Sequence, residues 1–163
     1  MIHVYVDADA CPVTRTAVHI CVKKGVPITL VCDCAHAFDL PGAQVVITTK
    51  GADSADFALL SRVKAGDLVI TQDYALAALC LTLRAQVINQ DGRIYRDENI
   101  TGLLTSRHEH RKARRAGGRM RGPKPRMPEQ DAYFEKTLTR LLDEALCRKA
   151  ASPESEQGNE GAF

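Results

Sequence analysis

The sequence predicts an α/β protein: a three-layer α/β/α arrangement with a mainly parallel, five-stranded sheet and extra C-terminal helices. Two observations carry this prediction. Short apolar runs of strand length alternate with segments of helical periodicity along most of the 163 residues. The first strand, helix and second strand together occupy about thirty residues, the size of a βαβ unit, whose strands are parallel.

The first βαβ unit is the clearest. Ile2–Val6 reads as a short buried strand. Pro12 suits the first turn of a helix because its missing N–H would be unpaired there anyway. That helix runs to about Lys24 and closes at Gly25, and Pro27–Cys32 forms the second strand.

The middle of the chain repeats this alternation. Gln44–Thr48 is the third strand, and Asp53 is a plausible N-cap for the helix that follows. We expect this helix to pack Phe57, Leu60 and Val63 inward. The remaining predicted elements are a strand at Asp67–Thr71, a helix at Tyr74–Arg84, a strand at Gln86–Ile88 and a turn at Asn89–Gly92.

Two further helices are predicted, Asn99–Arg115 and Glu129 to about Lys149, separated by a segment rich in glycine and proline. The second helix has an apolar face formed by Phe134, Leu138, Leu141, Leu142 and Ala145. We therefore expect one domain over residues 1–150 and a disordered acidic tail over residues 151–163.

Composition predicts a cytoplasmic protein. No apolar run approaches the ~20 residues of a membrane span, and no secretory signal is evident. The cysteines are read as reduced thiols, Cys11 among them in a packing role. Cys32 and Cys34 with His36 could bind zinc, but the spacing is unusual, and the buried end of a strand is the favoured interpretation.

The net charge of +2 conceals a strong asymmetry. Residues 107–126, here called the basic arm, hold nine Lys/Arg and one Glu, whereas the rest of the chain is net −6. An acidic body with a basic arm indicates a phosphate-rich partner, RNA more than DNA, although a solvated charged surface is the alternative. The candidate nucleic-acid-binding residues are Arg107, Arg111, Lys112, Arg114, Arg115, Arg119, Arg121 and Lys124.

Acidic residues follow the strands on one side of the predicted sheet. They are Asp7, Asp9, Asp53, Asp56 and Asp73. Carboxylates gathered at one sheet edge repel each other unless a cation lies between them, and Mg²⁺ or Mn²⁺ prefers such oxygen ligands. One or two such ions could activate water for phosphodiester hydrolysis.

Other roles are open for several of these carboxylates. Asp9 or Asp53 could cap a helix, with or without binding metal. Asp56 could be a first-turn residue favoured by the helix dipole. Asp91, with Gly92, could be only a turn residue, although it also follows a strand.

Taken together, these segments resemble the YaiI/YqxD family of uncharacterised bacterial proteins, from Val4 to about Leu142. The resemblance is carried by D-A-D-A-C-P-V at 7–13, G-A-D-S-A-D at 51–56, T-Q-D-Y-A-L-A at 71–77, Asn99-Ile100, R-H at 107–108, R-R-A-G-G-R at 114–119 and G-P-K at 122–124. That family is in turn similar to PIN-like domains, whose acidic clusters bind Mg²⁺ or Mn²⁺ in many ribonucleases. The resemblance implies metal-binding positions at Asp7, at Asp53 or Asp56, and at Asp73, with Asp91 a possible fourth.

Three functions are compatible with the sequence. The first is a metal-dependent nuclease acting on RNA, with Asp7, Asp73 and Asp53 as catalytic residues. The second is a non-catalytic RNA- or ribosome-associated binding protein. The third is a haloacid-dehalogenase-like phosphatase, which D-A-D-A-C resembles, with Asp7 as nucleophile and Asp9 as general acid; against it, Cys11 stands where Thr or Val is expected.

Overall fold

The fold is built on one six-stranded sheet. A computed structural model of the chain describes residues 1–9, 11–33, 39–49, 54–115 and 125–151. The strands are β1 (Val4–Asp7), β2 (Ile28–Asp33), β3 (Gln44–Thr48), β4 (Leu68–Ile70), β5 (Gln86–Ile88) and β6 (Ile94–Tyr95). Their order across the sheet is β3-β2-β1-β4-β5-β6, and every neighbouring pair is parallel except β5 and β6.

Helices cover both faces of the sheet and complete three layers. They are α1 (Thr14–Lys23), α2 (Ser54–Leu60), α3 (Tyr74–Thr82), α4 (Asp97–Arg115) and α5 (Pro128–Ala151). Helices α1 and α5 pack on one face, over an apolar core that includes Phe134 and Leu138. Helices α2, α3 and α4 pack on the other face, over a second core that includes Leu59 and Leu76.

The central strand shows why the sequence folds this way. In β1, Val4 and Val6 join the core under α1 and α5, whereas Tyr5 joins the core under α2 and α3. A strand covered on both faces must be apolar at every position, and these three residues are all buried. The first charged side chain of the strand, that of Asp7, therefore lies where the strand leaves the core.

These elements confirm the predicted α/β class and its mainly parallel sheet. The sheet has one strand more than the sequence indicated, because β6 is only two residues long and follows the turn at Asn89–Gly92. Helix α4 begins at Asp97, two residues before the predicted start at Asn99. The Asn99 side chain accepts a hydrogen bond of 3.0 Å from the Arg96 N–H, and this contact caps the first turn of the helix.

One packing prediction was wrong. Phe57 is 73% exposed, whereas Leu59 and Val63 are buried. Leu59 fills the inward position because α2 begins only at Ser54 and presents that residue, rather than Phe57, to the sheet. The proposed N-cap Asp53 and the acidic tail from residue 152 lie outside the described residues. Across the described ranges, no helix combines the length and apolarity needed to cross a membrane.

Candidate functional site

The candidate site begins where β1 and β4 end side by side. Val6 pairs with Ile70 in the parallel ladder, so the next residues of the two strands, Asp7 and Thr71, lie opposite each other. The Thr71 hydroxyl donates a hydrogen bond of 2.8 Å to Asp7 Oδ2. Because Thr71 is fully buried, this bond fixes the Asp7 carboxylate against the sheet edge.

Thr71 also connects Asp7 to Asp73. Its Oγ1 accepts a hydrogen bond of 3.0 Å from the Asp73 N–H. Asp73 in turn caps α3, since its Oδ1 accepts from the N–H groups of Ala75 at 2.7 Å and Leu76 at 3.2 Å. One hydroxyl thus holds two of the predicted metal-binding aspartates in a fixed relation.

The electrostatic environment of Asp7 is acidic. Burial raises the pKa of Asp7 to about 6, and the Asp56, Asp9 and Asp73 carboxylates push it in the same direction. The Thr71 hydrogen bond opposes this rise by stabilising the ionised form. Asp7 is therefore a carboxylate at neutral pH that is held in an unfavourable, acidic environment.

Asp9 lies next to the end of a neighbouring strand. Both of its carboxylate oxygens accept from the Asp33 N–H at the end of β2, at 3.0 and 3.3 Å. The predicted alternative, that Asp9 caps the first helix, was wrong, because the N-cap position of α1 is Val13 and has no side-chain cap. Asp9 instead fixes its own loop to β2.

The second predicted pair, Asp53 and Asp56, is described only in part. Asp56 lies in the first turn of α2 and contributes to the raised pKa values of both Asp7 and Cys80. It therefore belongs to the same acidic environment as Asp7. Asp53 lies outside the described residues.

The donor set suits a hard cation that keeps much of its water. Within the described ranges, no three His, Cys, Asp or Glu side chains are grouped closely enough to hold a metal ion by themselves. Mg²⁺ needs fewer protein ligands than this, because it commonly binds one or two carboxylates and completes its octahedron with water and phosphate oxygens. Asp7 and one neighbouring carboxylate are the residues that could hold such an ion.

Asp91, the possible fourth carboxylate, is engaged in an ion pair. Its Oδ1 accepts from Arg126 Nη1 at 2.8 Å and from Gln130 Nε2 at 3.0 Å. Arg126 also donates from Nη2 to the Gln90 carbonyl at 2.6 Å and from Nε to Asp131 Oδ1 at 2.7 Å. This network joins the loop after β5 to the first turn of α5.

The basic arm is described only at its two ends. Residues 107–115 form the last part of α4, but their side-chain contacts lie outside the described part of the chain. Residues 116–124 lie outside it as well, so the roles of all eight candidate nucleic-acid-binding residues stay predictions. The arm returns to the described fold at Pro125 and Arg126.

The described cysteines are all free thiols, as expected. Burial raises the pKa of Cys11, although hydrogen bonds from the Val13 N–H and the Thr14 hydroxyl lower it. A partly buried thiol that packs against the core and has a raised pKa suits the packing role predicted for Cys11. Cys32 is buried on β2, and its proposed zinc partners Cys34 and His36 lie outside the described residues.

Two residues that were not assigned to the site from the sequence hold candidate carboxylates in place: Thr71 binds Asp7, and Arg126 binds Asp91. Thr71 is visible in the T-Q-D-Y segment, where a threonine at the end of a buried strand could have been recognised as a hydrogen-bonding partner. Arg126 was grouped with the other arm residues, and nothing in its sequence neighbourhood distinguishes it from them.

The order of the strands, the helices on both faces and the aspartates that follow the strands together define the class of protein. It is an α/β protein with an acidic candidate site at the carboxyl edge of a mainly parallel sheet. Residues 5–144 match the family described as uncharacterized BCR, YaiI/YqxD family. The chain belongs to this family.

Curated relatives agree with this assignment. A UPF0178 protein of Exiguobacterium sibiricum is 45% identical over 141 residues, which cover 86% of this chain and 96% of the relative. A UPF0178 protein of Enterococcus faecalis is 39% identical over 146 residues, which cover 88% and 99% of the two chains. No solved structure matches the chain.

Proposed function

We propose that this protein is a divalent-metal-dependent nuclease that acts on RNA in the cytoplasm. The observation that carries the proposal is the Thr71 bridge, which holds Asp7 and Asp73 at the edge where the parallel strands end. Sites of open α/β sheets lie at this edge. The strand order is compatible with the PIN-like core that the sequence resembles.

In this proposal Asp7 is the principal ligand of Mg²⁺ or Mn²⁺. Asp73, Asp53 or Asp56 assists it, and Asp9 lies in the adjacent loop. The bound ion would supply an activated water and stabilise the charge that develops on the phosphate. The eight candidate nucleic-acid-binding residues of the arm bind the RNA backbone, so we expect little sequence preference.

Cleavage of single-stranded RNA with Mn²⁺ or Mg²⁺ tests this proposal. Asp7→Asn and Asp73→Asn keep the size of each side chain but remove the charge, so both should lose activity. Asp143→Asn is the matched control, because Asp143 lies on α5 and pairs with Lys24. Activity that survives both site substitutions would rule the proposal out.

The non-catalytic alternative also has an observation in its favour. Asp73 already caps α3 and Asp9 already holds β2, so these carboxylates have structural roles without a metal. A binding protein of this kind would retain salt-sensitive RNA binding after Asp7→Asn and Asp73→Asn and would show no cleavage at all. Binding and cleavage measured in parallel separate the two functions.

The phosphatase alternative draws less support from the geometry. Asp9 would be its general acid, yet both Asp9 oxygens accept from the Asp33 N–H at the end of β2. Turnover of a simple aryl phosphate, lost in Asp7→Asn, would favour this alternative over the nuclease.

A further inference from the structure

Arg126, at the return end of the basic arm, is held in a half-buried network of hydrogen bonds and ion pairs. Its side chain is only 23% exposed, and three of its nitrogens donate to described acceptors on two elements, the loop after β5 and α5. A guanidinium that bridges acceptors on separate elements acts as a planar, directional link between them. Its charge is already paired, so it is poorly placed to bind phosphate.

The loop it holds is packed unusually tightly. Gly92 has φ +78°, and a Cβ there would lie 2.9 Å from the Phe134 Cα. The loop backbone therefore rests directly on α5. Gln130 adds a second link, since it donates to Asp91 and its Oε1 accepts from the Met127 N–H at 2.7 Å.

This linked region adjoins the acidic site. Burial raises the pKa of the Cys11 thiol, Asp7 raises it further, and Arg126 lowers it. Burial also raises the pKa of the Tyr95 phenol, and Asp91 and Asp73 add to that rise. Strand β5 lies beside β4 in parallel, so its following loop emerges at the same edge as Thr71 and Asp73. The return end of the basic arm is thus attached next to the carboxylates.

We propose that Arg126 and Asp91 form a clasp that fixes the return end of the basic arm beside the acidic edge, so that RNA held by the arm lies over Asp7. Both are positioning residues and do not contact the reacting phosphate. The inference rests on the proposed RNA substrate. It explains why Asp91, although it follows a strand like the other aspartates, is neutralised by an arginine.

Photo-crosslinking tests the clasp without depending on cleavage. A short oligouridylate containing 4-thiouridine is bound to the full-length protein, and crosslinked peptides are mapped by mass spectrometry. In the unaltered chain we expect crosslinks at Gln72–Tyr74. In Arg126→Ala we expect RNA affinity and its salt slope to be retained, but these crosslinks to be lost.

Control variants separate positioning from folding. Arg140→Ala removes the same residue type from α5, where Arg140 pairs only with the exposed Glu144 among the described residues, and should leave the crosslinks unchanged. Asp91→Asn keeps the shape of the clasp but weakens the pair, so it should reduce the crosslinks and retain the melting temperature better than Arg126→Ala. A misplaced substrate costs up to ~10²-fold in rate, so kcat should fall by about that factor in Arg126→Ala with little change in KM.

The outcomes are distinguishable. Edge crosslinks that are lost in Arg126→Ala, in a protein that does not cleave RNA, would support the clasp and overturn the nuclease. Cleavage with edge crosslinks unchanged in both Arg126→Ala and Asp91→Asn would support the nuclease and overturn the clasp. Absence of RNA binding would overturn both.

Discussion

Asp7 lies in an electrostatically unfavourable environment. It is partly buried at the end of a central strand and lies near three other carboxylates, so its ionised form is disfavoured. The hydrogen bond from Thr71 stabilises the ionised form of Asp7 but offsets only part of the rise in its pKa. Strongly shifted pKa values cluster at functional sites, where burial and neighbouring like charges produce them.

The first prediction concerns the stability cost of Asp7. Its pKa is raised from 3.8 to about 6 in the folded chain, so folding is favoured by protonation. The stabilising contribution is complete below pH 3.8 and is lost as the pH rises through about 6. Asp7→Asn should therefore raise the free energy of unfolding at neutral pH by about 1–3 kcal/mol.

Urea unfolding in the presence of a chelator measures this effect. The gain should shrink as the pH is lowered from neutral toward 3.8, which provides an internal control. Asp7→Asn that is less stable than the unaltered chain at neutral pH would contradict the assigned environment.

The second prediction concerns the Thr71 hydroxyl. Thr71→Val keeps the shape of the side chain but removes both its bond to Asp7 and its bond from the Asp73 N–H. We expect a loss of about 1–3 kcal/mol in unfolding free energy, because two partially buried groups lose a partner. Cleavage should fall as well, since the two aspartates are no longer held together.

Thr137→Val provides the comparison for Thr71→Val. Thr137 is also a buried threonine, but it lies on α5 and takes no part in the hydrogen bonds that link Asp7 and Asp73. Equal effects of the two substitutions on cleavage would show that the Thr71 bridge has no role in the site.

At the scale of elements, Asp73 at the start of α3 has two roles in the proposed function. It caps the helix, and it assists in binding the metal ion. The third prediction separates them. Asparagine caps helices about as well as aspartate, whereas alanine does not, at a cost of about 1 kcal/mol. Asp73→Asn should therefore unfold at the same urea concentration as the unaltered chain, and Asp73→Ala should unfold at a lower one. Both variants should lose RNA cleavage. Activity in Asp73→Asn would limit Asp73 to its capping role.

The contact between the loop after β5 and α5 supports a fourth prediction. Gly92→Ala places a Cβ 2.9 Å from the Phe134 Cα at a positive φ, so it should destabilise the chain and loosen the clasp. Gly66→Ala isolates the backbone effect, because Gly66 has φ +87° and no atom within 4 Å of its Cβ position. Thermal melts should show a larger loss for Gly92→Ala than for Gly66→Ala.

The elements show what a sequence can predict and where it fails. Strands β1, β2 and β4 were predictable because burial on both faces demands uninterrupted apolar runs. Phe57 was misassigned because one helical turn decides which residue faces the sheet, and a seven-residue helix has too little periodicity to fix that choice. Strand β6 was missed because two residues carry no pattern.

The site was predictable to a similar degree. Strand ends identify Asp7 and Asp73, since the carboxyl ends of parallel strands meet at one edge. The pairings of Asp9 with Asp33 and of Asp91 with Arg126 join residues distant in sequence, and no local spacing encodes them.

The whole molecule divides charge between an acidic body and a basic arm. The fifth prediction follows from this division. Replacing Arg114, Arg115 and Arg119 by Ala should weaken binding to single-stranded RNA and lower the slope of log affinity against log salt by about 2. Fluorescence anisotropy at several salt concentrations measures it, and an unchanged slope would contradict phosphate binding by the arm.

The central claim is that the carboxylate edge holds a divalent cation, and Mn²⁺ binding to the full-length protein tests it most directly. Electron paramagnetic resonance counts free Mn²⁺ in titrations of the unaltered chain, Asp7→Asn, Asp73→Asn and the control Asp143→Asn. We predict saturable binding in the unaltered chain and in Asp143→Asn, and its loss in Asp7→Asn with weakening in Asp73→Asn. Equal Mn²⁺ binding by Asp7→Asn and the unaltered chain would contradict the account.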